Sequence, residues 1–250
     1  MSQNSLLQFY KEQEGVWDEM IGHSGIRAPY ENFFSLVSEL PAIEMTQKDE
    51  MAKKLFMSQG ITFTVYSSGE GIEKIFPFDI VPRIITSDEW VLIEAGLKQR
   101  LNALNIFLKD IYHKQFILKD GIIPSKLIYS CPNFLREMMN VDVPFDIYTH
   151  ISGVDLIRDH DGEFYVLEDN LRTPSGVSYM LENRSITYRI FPDMIPKNNV
   201  RTVKEYPDLL YKNLLALGNR QISNPTVVLL SPGIYNSAYF EHTTLARLMG

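Results

Sequence analysis

Residues 149–178 constrain this chain most. Two runs of mostly alternating apolar residues flank Asp161-Gly162. Asp-Gly between such runs signals a tight β-hairpin, because a type I′ turn needs positive φ at both central residues. A two-residue turn would pair His160 with Glu163, Arg158 with Tyr165, Ile157 with Val166 and Asp155 with Glu168. Side chains alternate faces along a strand, so Asp155, Ile157, Val166, Glu168 and Asn170 would share one face. Two carboxylates then stand opposite each other with an amide one step along.

Like charges in directly opposed positions destabilise a sheet. At about 5 Å and an effective dielectric of about 20 the repulsion is roughly 3 kcal/mol, a large share of a stability of about 5–15 kcal/mol. A cation between the acids would relieve it. Oxygen ligands that include an amide carbonyl suit a hard ion, Mg2+ before Ca2+, completed by water and phosphate oxygens. The plainer alternative is a solvated hairpin with its acids in water. The register rests on one assumed turn, so spacing alone leaves both open.

The acid-bearing strand runs into a polar loop, Asn170-Leu-Arg-Thr-Pro-Ser-Gly176. Arg172 could grip phosphate or carboxylate oxygens through its fork. The Thr173 and Ser175 hydroxyls and the Gly176 amide could add weaker contacts. An ordinary strand-to-helix turn with Arg172 in solvent explains the loop equally well.

Leu167-Glu-Asp-Asn-Leu-Arg-Thr-Pro-Ser-Gly-Val-Ser-Tyr-Met-Leu-Glu-Asn-Arg184 resembles the signature of the circularly permuted ATP-grasp proteins, a group related to glutathionylspermidine synthases. Pro77-Phe-Asp-Ile-Val-Pro-Arg83 and Gln99-Arg-Leu-Asn-Ala-Leu-Asn105 also resemble that group, and the similarity runs from about residue 65 to the end. The resemblance implies an ATP-dependent ligase that phosphorylates a carboxylate and lets an amine attack the acyl phosphate. It implies Mg2+ and ATP as cofactors, with Asp155, Glu168 and Asn170 as metal ligands. Asn170, Thr173, Ser175 and Gly176 would serve the nucleotide side, and Arg172 would be the catalytic cation, orienting the acyl acceptor. One departure stands out. Related synthases carry Arg two residues before the first acid, and here that position is Gly153. Arg158 falls on the other face by parity.

The remainder reads as a globular chain. The net charge of −7, with acids and bases interspersed, argues against nucleic acid or an anionic membrane as main partner. There is no run of 18 apolar residues, and Met1-Ser-Gln-Asn lacks the pattern of a signal peptide. The single cysteine, Cys131, excludes an internal disulfide and fits the cytoplasm; we expect it buried or inert rather than nucleophilic.

Residues 5–57 read as helices interrupted by Pro29 and Pro41, with a cap at Thr46-Gln-Lys-Asp49. A strand follows at 61–67, then Ser68-Gly-Glu-Gly71, a hairpin turn more than a phosphate cradle. Residues 73–85 are extended. Asp79 and Arg83 there would pair with each other or serve a substrate. Thr86-Ser-Asp-Glu89 matches a capping box. The helix it opens carries an apolar stripe through Trp90, Ile93, Leu97, Leu101, Leu104, Leu108 and Ile111, and Gly121 and Pro124 would end it. Arg100 and Asn105 read as surface and interhelical contacts, and His150 as scaffold. Short helices are expected around Pro132, and longer ones at 177–190, 203–217 and 237–249. Residues 226–230 look like a buried strand.

The expected architecture is α+β: an ATP-grasp-like antiparallel or mixed sheet with packed helices, then the start of an α/β pre-ATP-grasp-like domain. The divisions would be a helical region at 1–60, the metal-binding half at 61–222, and one strand and helix of a cut-off domain at 223–250. The expected partners are a small-molecule or peptide carboxylate and an amine. A non-catalytic peptide- or partner-binding module with a degenerate site is the alternative, and a Mg2+-dependent phosphohydrolase a third.

Overall fold

A computed structural model describes residues 10, 13–67, 70–75, 77–197, 199–218 and 222–250. In chain order the elements are β1 (Ile21–Gly22), β2 (Gly25–Ile26), α1 (Glu31–Ser38), α2 (Ala42–Ser58), β3 (Thr62–Ser67) and β4 (Glu70–Ile75). Then come α3 (Ser87–Tyr112), α4 (Phe116–Lys119), α5 (Ser125–Tyr129), β5 (Gly153–Arg158) and β6 (Phe164–Asn170). The chain closes with α6 (Val177–Ile190), α7 (Met194–Lys197), α8 (Tyr206–Ala216) and α9 (Tyr239–Met249). The strands form three two-stranded antiparallel sheets, each a hairpin. This is an α+β arrangement. No described helix is long and apolar enough to cross a membrane.

The chain divides into two compact units, Met1–Ile84 with Ser175–Gly250, and Ile85–Pro174. The first unit holds the main core. Phe33, Phe56, Ile61, Ile186 and Ile190 are almost fully excluded from water there. Phe33 meets Phe191 edge-on at 5.8 Å between ring centroids, and Phe56 lies 5.1 Å from Phe78. Tyr30 is buried, and its hydroxyl accepts a hydrogen bond from the Ile84 amide at 2.9 Å. Burial pushes that hydroxyl's pKa up. Lys48 donates to the Ile190 carbonyl at 2.6 Å, placing a cation at the negative end of α6.

In the second unit the capping box at the start of α3 forms as expected. Thr86 Oγ1 accepts from the Glu89 amide, and Glu89 accepts from the Thr86 amide. The helix ends earlier than Gly121. Gln115 adopts φ +58, and the Asp110 carboxylate accepts from the Phe116 and Ile117 amides, so a side chain stops the helix where no glycine or proline announces it. Of the expected stripe, Ile93 and Ile111 are buried, whereas Trp90 at the first turn is 40% exposed.

Other expectations are corrected. Residues 13–27 are not helical and contain the short β1–β2 hairpin, and Ala28–Tyr30 form a single 3-10 turn. Arg83 pairs with Glu19 at 3.3 Å rather than with Asp79, whose carboxylate accepts from the Val81 amide. Cys131 is exposed. Residues 226–230 form no strand; Val228 is 81% and Leu230 94% exposed, because no described strand pairs with them. Residues 68–69 of the Gly-x-Gly turn, and the expected helix before Tyr10, lie outside the described residues.

Candidate functional site

The β5–β6 hairpin is built differently from a two-residue turn, yet it brings the two acids together. Asp159 N donates to Glu163 O at 3.0 Å and Gly162 N to Asp159 O at 2.9 Å, so three residues, His160, Asp161 and Gly162, make the turn. Gly162 takes φ +87, the left-handed position such a turn requires. That shifts the register by one: Ile157 faces Tyr165 and Arg158 faces Phe164. A bulge at Leu167 then shifts it back. Leu156 faces Val166, Asp155 faces Glu168, and Gly153 faces Asn170. The expected pairs of Ile157 with Val166, Arg158 with Tyr165 and His160 with Glu163 do not occur. Val166 lies on the opposite face from the acids, and Tyr165 takes its place.

One face of the ribbon is exposed and carries Asp155, Glu168 and Asn170 beside Ile157, Tyr165 and Leu167. Asn170 Nδ2 donates to Glu168 Oε1 at 3.1 Å. Among the described residues no lysine, arginine or histidine pairs with Asp155 or Glu168. Both acids reach water, so the effective dielectric approaches that of the solvent and their repulsion is about 1 kcal/mol. Repulsion alone therefore does not demand a cation. Among the described residues no group of three or more His, Cys, Asp or Glu side chains is gathered to hold a metal. Two carboxylates and an amide oxygen fit a hard ion that keeps water and phosphate oxygens in its shell, and do not fit a closed protein cage.

The other face is half-buried and made of Val154, Leu156, Arg158, Phe164, Val166 and Asp169. Arg100 of α3 forks onto Asp169, with Nε at 2.9 Å from Oδ1 and Nη2 at 2.6 Å from Oδ2. That hydrogen bonding holds the Asp169 carboxyl below its ordinary range. Arg158 reaches Glu89 at 2.5 Å and lies 4.6 Å over the Phe164 ring. Burial alone would raise the Glu89 carboxyl. The Thr86 amide, Arg158 and the Thr86 hydroxyl outweigh it and bring the pKa down. Asn105 accepts from the Tyr148 and Thr149 amides at 2.7 and 3.1 Å and donates to Thr149 Oγ1 at 3.0 Å. Arg100 and Asn105 thus hold the hairpin and its lead-in instead of contacting other helices.

The loop after β6 is partly committed. Pro174 packs on Gly153, where an added Cβ would lie 2.8 Å from Pro174 Cβ. No side chain fits there, so an arginine at 153 is sterically excluded while Pro174 stays. Arg172 is exposed, with Nη1 3.3 Å from Asn133 Oδ1. Thr173 and Ser175 are exposed. Gly176 belongs to the first unit, and its amide donates to the Glu241 carboxylate at 2.6 Å, so the protein's own acid already occupies it. His150 is exposed. Reading the sequence missed Asp169, Asn133, Pro174 and Glu241 as organisers, and found Glu89 as a capping acid but not as the partner of Arg158. The alternating pattern itself marks Asp169 as the acid facing away from Glu168, but nothing local marks Glu241.

The chain is similar in sequence to known proteins. An uncharacterized Mycobacterium tuberculosis protein is 45% identical over 236 residues, 94% of this chain and 42% of the relative. One from Synechocystis is 48% identical over 206 residues, 82% of this chain and 43% of the relative. A Frankia alni protein provisionally named glutamate–cysteine ligase 2-3 is 34% identical over 247 residues, 98% of this chain and 28% of the relative. The chain spans about two fifths of the length of the first of these relatives. A family model described as a circularly permuted ATPgrasp matches residues 82–250, taking in α3, the β5–β6 ribbon and the loop after it. With well over half of its residues in that match, the chain belongs to the circularly permuted ATP-grasp family.

Proposed function

We propose that residues 61–222 carry the metal-binding half of an ATP-dependent carboxylate–amine ligase, akin to the glutathionylspermidine synthases. One observation carries the reading: Asp155 and Glu168 are directly opposed on an exposed face, with Asn170 beside them and no cationic side chain among the described residues to neutralise them. Family membership and the ligase name of the Frankia relative support it.

Asp155, Glu168 and Asn170 would hold Mg2+, which when bound neutralises phosphate charge during phosphoryl transfer. The γ-phosphoryl group of ATP passes to a substrate carboxylate oxygen, leaving ADP. An amine would then attack the acyl carbon; the C–N bond forms, the C–O bond to phosphate breaks, and the nitrogen gives up a proton as phosphate departs. Arg172 would orient the acyl acceptor, with Thr173 and Ser175 adding hydroxyl contacts. The Gly176 amide, already bonded to Glu241, shapes the loop rather than the nucleotide's surroundings. The substrates would be a small molecule or peptide with a carboxylate and a separate amine, and the compartment the cytoplasm.

A second reading is a binding module without chemistry. The Gly153–Pro174 contact, which excludes an arginine beside the acids, favours it.

Calorimetric titration of MgATP into the natural full-length protein and its Glu168→Gln variant tests the metal assignment. We expect at least about tenfold weaker binding in the variant, the loss of one charged ligand. Equal affinity and turnover would reject it. ADP release that requires both carboxylate and amine pools marks the ligase. Phosphate release without an amine marks a phosphohydrolase, and neither marks the binding module.

A further inference from the structure

The guanidinium of Arg172 has one edge occupied and the other open. Among the described residues its partner is Asn133, whose Oδ1 lies 3.3 Å from Nη1. Arginine carries donors alone, so the oxygen of the amide must face it. The edge formed by Nε and Nη2 has no partner among the described residues. With that same edge Arg100 grips both oxygens of Asp169, at 2.9 and 2.6 Å. Two parallel N–H groups match the two oxygens of a carboxylate.

Both sides of the contact are anchored within the unit Ile85–Pro174. Asn133 sits in a turn over residues 131–134, closed by the Phe134 amide donating to the Cys131 carbonyl at 3.0 Å. Pro132 presets the backbone of that turn. Phe134 stacks on Tyr112 of α3, with ring centroids 5.0 Å apart and an interplanar angle of 5°, and the Leu135 amide donates to the Tyr112 hydroxyl at 3.2 Å. Arg172 is the middle of the segment 170–174. Asn170 pairs with Gly153 at one end of it, and Pro174 packs on Gly153 at the other. Two residues span at most about 7 Å of backbone, so the Arg172 backbone stays beside the Asn170 end of the acidic face.

We propose that Arg172, oriented by Asn133, binds a carboxylate carried by the amine substrate, so that the acyl acceptor is an amino acid or a peptide with a free carboxyl end and not a polyamine. Asn133 is a positioning residue: it holds one edge of the guanidinium and turns the other to the ligand. A polyamine offers this cation no oxygen to grip, and its ammonium groups are repelled by it. This inference rests on the ligase reading of the Asp155–Glu168 site.

The test uses the natural full-length protein with MgATP and a fixed pool of N-acetyl amino acids and dicarboxylic acids as carboxylate donors. ADP release is measured with one of three amine pools: free amino acids with dipeptides, the same compounds as C-terminal carboxamides, or polyamines. We expect release at least about tenfold faster with the free carboxylates than with the carboxamides, the loss of one charge-assisted contact. Arg172→Gln should bring that ratio close to one. Asn133→Ala should lower it about threefold, raising KM for the amine more than it lowers kcat, because the arginine is present but no longer held. A merely structural effect would slow all three pools alike, and that result in Asn133→Ala would overturn the positioning role. Equal release with carboxamides or polyamines in the wild type would overturn the substrate class and leave the ligase standing. So would a ratio that survives in Arg172→Gln while MgATP affinity falls, which would put the arginine on the nucleotide. No release with any amine pool would instead bring down the ligase reading, and this proposal with it.

Discussion

Gly153 faces Asn170 across the ribbon, and Pro174 leaves no room for a Cβ at that position. Gly153→Ala should therefore destabilise the protein by about 1–3 kcal/mol, the usual range for overpacking. Pairing it with Pro174→Gly should recover part of the loss, because the clash has been removed. Urea unfolding of the single and double variants measures both; strict additivity would mean that the contact does not matter. Gly176, at φ +107, makes a different demand. A side chain there is strained by about 1–3 kcal/mol whatever the space around it.

At the level of elements, α3 and the β5–β6 ribbon are joined on the ribbon's half-buried face by Arg158–Glu89 and Arg100–Asp169. Glu89 serves twice, as the capping-box acid and as partner to an arginine that is only 13% exposed. Glu89→Ala should cost about 2–3 kcal/mol, combining a lost cap with the loss of the carboxylate from Arg158, which keeps its bond to the Gly162 carbonyl. The pH dependence has a definite sign. Glu89 has a lowered carboxyl pKa in the folded protein, so its stabilisation is complete above the ordinary carboxylate range. It is lost as pH falls through the lowered value. Unfolding of wild type and Glu89→Gln from about pH 6 to about pH 2 should converge at the acid end. Parallel curves would contradict the linkage. The Arg100–Asp169 pair acts in the same direction, but its arginine is exposed to solvent, so salt should weaken it.

Across the whole molecule the apolar burial is uneven. The first unit gathers Phe33, Phe56, Ile61, Ile186 and Ile190, whereas Ile93, Ile111 and Tyr112 are the buried apolar residues described in the second. Phe56→Ala should cost about 3–5 kcal/mol, as large-to-small changes in a closed core do. Residues 85–174 expressed alone should lack a cooperative urea transition, since so small a core cannot offset chain entropy. A sharp two-state curve from that fragment would refute this.

The capping box, the α6 span and the turn glycine Gly162 were legible because each depends on residues within a few positions of one another. So was the alternation that sets Asp155, Glu168 and Asn170 apart from Asp169. The meeting of Asp155 with Glu168 was inferred from a turn that is not there; a longer turn and a bulge at Leu167 cancel. Both choices depend on how the ribbon twists and packs, which no local pattern states. The contacts that only the tertiary structure decided join distant residues. Arg100 meets Asp169 across 69 positions and Gly176 meets Glu241 across 65. Sequence alone determined which segments could become helix or strand and which carboxylates could share a face. Packing between remote segments decided which charged groups are spent holding the fold, and so which remain free for a ligand.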